Sequence, residues 1–136
     1  MMKRVTAGVI VLALTAVVIS GCGIFDPQGT LTLKDVMNGT SDAVNTRTEV
    51  EETTDGACND EVQCVEAYST AEADYFRFPS RQQAEDFASS LDDGFVVNYF
   101  VMDFAGKNAS AEHQLWAMQH LAGTWNDYEG SFPNRL

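Results

Sequence analysis

Basic residues are scarce in this chain of 136 residues: eight Lys and Arg stand against twenty Asp and Glu, a formal net charge of −12 at pH 7. A surface of that sign is repelled by phosphate backbones and by anionic lipid headgroups, so no nucleic-acid partner is expected and no basic patch assists membrane binding. Histidine is scarcer still, with only His113 and His120. Two turns apart on a helix, these would share a face but be separated by about 10 Å of rise. They cannot converge on one ion, so no metal and no cofactor is expected. Signatures of fixed spacing are missing as well: there is no Gly-x-Ser-x-Gly elbow, His-Glu-x-x-His helix, phosphate-binding loop or dinucleotide glycine pattern. Long hydrophobic runs are also lacking. The longest, from Val5 to Ile19, has about 15 residues where a membrane-spanning helix needs roughly 20.

That short run sits in a telling context. Lys3 and Arg4 precede it, and Ile19-Ser20-Gly21-Cys22 ends it. A basic start, a short apolar core and a small-residue exit make a signal peptide rather than an anchor. The last four residues resemble the lipobox of bacterial lipoproteins. The resemblance implies that the Cys22 thiol takes a diacylglyceryl group, that residues 1–21 are removed, and that Cys22 becomes the first residue of a chain held on the outer side of the cell membrane. Acyl chains contribute about 0.8 kcal/mol per buried CH₂, and here they would anchor alone. Without Lys3 and Arg4, six bases face twenty acids, a net of −14.

Of the three cysteines, lipid would consume Cys22 and leave Cys58 and Cys64. The compartment permits disulfides, and the Cys-x5-Cys spacing lacks the Cys-x2-Cys form of zinc ribbons and redox motifs. A structural disulfide between Cys58 and Cys64 is therefore expected.

Residues 22–30 contain Asp26-Pro27 and Gly29 and read as a tether, with a single domain over 31–136. Leu31 to Leu33 suggests a short strand or turn, and Thr46 to Thr54, rich in β-branched residues, an exposed strand. Asp55-Gly56 suggests a turn. Val62 to Ser69 and Asp74 to Phe78 are further strands, the latter with Phe76 and Phe78 on one face and Tyr75 and Arg77 on the other. Ser80 and Gln83 form a capping pattern ahead of a helix whose apolar stripe is Ala84, Phe87, Ala88 and Leu91. Phe95 to Phe104, apolar on both faces apart from Asn98, reads as one central strand. Asn108 or Ser110 then caps a second helix with a stripe of Ala111, Leu115, Met118 and Ala122. Beyond it, Trp125, Tyr128 and Phe132 make a tail aromatic enough to pack back on the domain. The order predicts an α+β fold, one mostly antiparallel sheet of about four strands with two helices on one face. Ala84, Phe87, Leu91, Val96 or Val97, Phe100, Leu115 and Met118 would form one contiguous core.

From Ala73-Asp74-Tyr75-Phe76-Arg77-Phe78 through Gln82-Ala84-Phe87-Ala88, Val101-Met102-Asp103-Phe104 and Trp116 to Gln119, and on to Gly123-Thr124-Trp125, the chain resembles small lipid-anchored surface proteins of actinobacteria. The resemblance covers roughly the last 70 residues and implies no catalytic residue. The acidic runs Glu49/Glu51/Glu52, Asp60/Glu61 and Asp92/Asp93 lack the alternation of a calcium loop and read as a solvated surface. On the second helix, Trp116 falls opposite the apolar stripe with His113 and His120 beside it. Tryptophan is enriched at binding hot spots, so the three make a candidate partner surface, unless the aromatic tail folds over Trp116 and makes it core. The expected function is a non-enzymatic binding or interaction module of the cell envelope with an envelope protein as partner. A small cell-wall hydrolase working through paired carboxylates is the alternative.

Overall fold

In the computed structural model, residues 29–39, 46–124 and 128–135 are described. The expected signal peptide, Cys22, most of the expected tether and Trp125 lie outside the described residues. Among those described, no helix is long and apolar enough to cross a membrane.

Among the described residues the domain is α+β, with a five-stranded antiparallel sheet and four helices. The strands are β1 (Glu51–Glu52), β2 (Glu66–Ser69), β3 (Asp74–Arg77), β4 (Gly94–Val97) and β5 (Phe100–Asp103), in the spatial order β1-β2-β3-β5-β4. The helices are α1 (Leu33–Asn38), α2 (Thr54–Ala57), α3 (Arg81–Ser89) and α4 (Ala111–Gly123). Five strands replace the expected four because the segment from Phe95 to Phe104 is a hairpin and not one strand. Asn98 takes φ +53° at its turn, a conformation that Asn tolerates better than most residues, and the chain reverses over Asn98 and Tyr99. The reversal pairs Val97 with Phe100 and Phe95 with Met102. Paired residues share a face, so Phe100 and Met102 join Phe95 and Val97, and Val101 joins Val96. An unbroken strand would have placed them the other way.

The register carries two apolar rows across the sheet. Tyr68, Tyr75, Met102 and Phe95 line one face, and Ala67, Phe76, Val101 and Val96 line the other. The first face packs against α1 through Leu33 and Val36 and against α4 through Ala117, Met118, Leu121 and Ala122. The second packs against α3 through Ala84 and Phe87, and against the loop closed by the cysteines. Helices therefore cover both faces, contrary to the expectation of two on one face, and the sheet divides the single expected core in two. Phe87 and Phe100 lie on opposite sides of that division.

Local chemistry explains the other departures. Leu31 to Leu33 is neither strand nor turn, because Thr32 caps α1: its hydroxyl accepts from the Asp35 N–H while Asp35 accepts from the Thr32 N–H. Only Glu51 and Glu52 of the segment 46–54 pair in the sheet. Asp55-Gly56 lies within the single turn of α2. β2 starts at Glu66 rather than Val62, because Asn59 folds the preceding residues into a loop, its side-chain oxygen accepting from the N–H groups of Glu61 and Val62. The α3 cap is as expected, with the Ser80 hydroxyl accepting from the Gln83 N–H at 3.2 Å. Gly94 is where the chain from α3 turns into β4; a Cβ there would lie 3.1 Å from both the Ala88 carbonyl oxygen and the Leu91 side chain.

Candidate functional site

The α4 helix begins where Ser110 accepts from the His113 N–H, one of the two caps expected. Its buried stripe is Gln114, Ala117, Met118, Leu121 and Ala122, with Ala111 and Leu115 only half-buried. This is a rotation of about 60° from the expected stripe, at 100° per residue. Gln114 accounts for the difference. It is a polar residue at a core position, satisfied there because its Oε1 accepts from the Arg135 guanidinium at 2.9 Å. Arg135 also pairs with Asp93 and lies over the Phe104 ring, 3.8 Å from its centroid. Tyr128 and Phe132 of the aromatic tail pack back on the domain as expected, onto Phe95, whose ring centroid is 6.1 Å from that of Tyr128 and 5.7 Å from that of Phe132.

Trp116 remains opposite the buried stripe and is half-buried. Its ring meets that of His113, which is exposed, at a centroid distance of 5.3 Å. His120 differs from His113. It is half-buried, and burial first and the positive charge of Arg47 second push its pKa below the ordinary value.

His113 also lines a polar groove of roughly 580 Å³ at one end of the sheet. The segment from Thr48 to Glu51, the β2–β3 loop, and the turn from Gly106 to Ala109 form the rest of its wall. Three features fix that wall. Gly106 holds its turn at φ +74°. The Lys107 ammonium is 2.7 Å from the Asp74 carboxylate and donates to the Ser69 hydroxyl and the Thr70 carbonyl, both at 2.9 Å. The Glu72 carboxylate, 2 % exposed, accepts from the Thr48 N–H at 2.9 Å and from the Thr48 hydroxyl at 2.6 Å. With Lys107 and Glu72 engaged in holding the wall, Glu49 and Glu51 are the exposed charges along it. Glu49 has φ +53°, a strained conformation for a non-glycine residue, and such strain recurs at binding sites.

Cys58 and Cys64 are bridged, with their Cα atoms 4.9 Å apart. The bond lies on the other face of the sheet, remote in the fold from α4, and closes the loop that packs beside α3. Among the described residues, no three His, Cys, Asp or Glu side chains are grouped to hold a metal ion. Sequence reasoning singled out His113 and Trp116, which the structure brings together. It missed Lys107, Glu72 and Gln114, whose placement depends on partners 21 to 42 positions away in the chain. No family model, curated protein or solved structure matches this chain.

Proposed function

We propose that this chain is a lipid-anchored binding module of the cell envelope, without an enzymatic activity of its own, and that its α4 edge recognises an envelope protein. The anchoring part rests on Ile19-Ser20-Gly21-Cys22, with Cys22 as the lipid-bearing residue. The binding part rests on one observation, the ring contact of His113 with Trp116 at the rim of a polar groove. A tryptophan that keeps part of its surface in water, beside a wall of hydrogen-bonding side chains, offers a partner an apolar anchor and a polar surround. His120 belongs to the inner part of this edge, where it feels the charge of Arg47 and contributes less exposed surface.

The test places a photo-crosslinking residue at position 113 and, as a control, at Lys34, exposed on α1. With intact cells, the reading expects one discrete adduct from position 113, none from position 34, and loss of the adduct when Trp116→Ala is added to a chain that still unfolds cooperatively. The same adducts from both positions, or indifference to Trp116→Ala, would overturn it. Anchoring is tested separately, since Cys22→Ala should leave the precursor uncut or release the chain to the medium. A Cys22→Ala chain that is cut before residue 22 and is still retained on the membrane would refute lipidation at Cys22.

A further inference from the structure

A second concavity lies on the opposite face of the sheet, between α3 and the disulfide loop. It measures roughly 280 Å³ and is lined by Glu61, Val62 and Gln63 from the loop, Gln83, Asp86, Phe87 and Ser90 from α3 and its end, and Phe78. Its floor is aromatic. The Phe87 ring stands 5.0 Å from that of Phe76 and 5.1 Å from that of Phe78, and Phe78 is 3 % exposed. Its rim carries two exposed carboxylates, Glu61 and Asp86, and among the described residues that line it there is no basic side chain.

Both walls are set before anything binds. The loop wall is closed by the Cys58–Cys64 bond and by the Asn59 side chain and backbone, the Asn59 N–H donating to the Val62 carbonyl at 2.9 Å. On the α3 wall, Gln82 donates to the Asp86 carboxylate at 2.8 Å and Ser80 donates to Gln83 at 3.0 Å. Such preorganisation lowers the ordering cost of binding.

We infer that this pocket receives a single lysine or arginine side chain from a partner polypeptide. Three properties select that occupant. The volume falls just under the roughly 300–1,000 Å³ of sites that enclose a whole small molecule, which suits one side chain. The phenylalanine floor, a half-buried Phe87 against a buried Phe78, suits an alkyl stem, and lysine and arginine bury their stems while keeping the charged head in water. The carboxylates stand at the rim, where that head emerges, and the negative charge of the whole chain draws cationic segments toward it. The inference is independent of the α4 surface, because no residue is shared between the two.

The experiment titrates the purified full chain with Nα-acetyl-lysine methylamide, its norleucine counterpart and n-butylamine, and follows the Val62 methyl and Phe87 ring resonances. The lysine derivative is expected to shift both and to bind about tenfold more tightly than the norleucine derivative. Glu61→Gln and Asp86→Asn, both on exposed side chains, should each weaken lysine binding about two- to fivefold, the size of a surface ion pair, and leave norleucine binding unchanged. Equal affinity for lysine and norleucine, or shifts confined to the Glu49–Glu51 groove, would overturn the inference. n-Butylamine, the lysine side chain without its backbone, should shift the same two resonances, and its failure to do so would also overturn the inference.

Discussion

Burial and the neighbouring Arg47 guanidinium hold the His120 imidazole below its ordinary value of 6.5. The folded state therefore favours neutral His120, and on acidification the unfolded chain takes up the proton first. Between the lowered folded value and 6.5 the unfolded state binds more protons, so stability rises with pH through that window and is lost as pH falls. His120→Gln should flatten this part of the stability profile, measured as urea midpoints across a pH series. Arg47→Gln should move the His120 NMR titration upward toward 6.5, and titration at or above 6.5 in the parent chain would contradict the prediction. None of this was visible in the sequence, where His113 and His120 look alike and Arg47 lies far away. The same limit applied to Gln114 and Glu72, polar residues whose interior positions exist only because Arg135 and Thr48 reach them. Their burial has no local signal. The Ser80 and Ser110 caps were readable because each partner is three residues away.

Helices with both a cap and an apolar stripe of several turns were legible; α1, of six residues despite its local Thr32–Asp35 cap, α2, of four, and the hairpin turn were not. The α3 helix carries its own cap and stripe. The hairpin of β4 and β5 was hidden because its turn, Asn98 and Tyr99, interrupts the apolar pattern only at Asn98, which an alternating reading absorbs. That reading inverts the face of every residue after the turn. The positive φ of Asn98 makes a direct check. Asn98→Gly should leave stability unchanged or raise it by a few tenths to about 1 kcal/mol, since glycine takes this conformation freely. Asn98→Val should cost about 1–2 kcal/mol, because a β-branched residue resists it. Equal denaturant midpoints for the two variants would mean that the turn is not held in this conformation.

At the scale of the whole molecule, the sheet is a partition. Class and disulfide followed from pattern and cysteine count, but the division of the core into two depended on the strand register, which the missed hairpin decided. The partition has an energetic consequence. Phe87 packs with Phe76 and Phe78 on one side and Met118 packs on the other, with the sheet between them. Substitutions mild enough to keep the domain folded, Phe87→Leu and Met118→Val, should each cost about 1 kcal/mol. In combination they should add within about 0.5 kcal/mol, as expected for sites without shared partners. Phe76→Leu with Phe87→Leu should behave differently, since their rings touch at 5.0 Å and each loss removes part of the other's contact. That pair should show a coupling of about 0.5–1.5 kcal/mol. A double-mutant cycle on urea unfolding reads both values. Coupling above about 1 kcal/mol between Phe87 and Met118 would show that repacking passes through the sheet, and that α3 and α4 share one core after all.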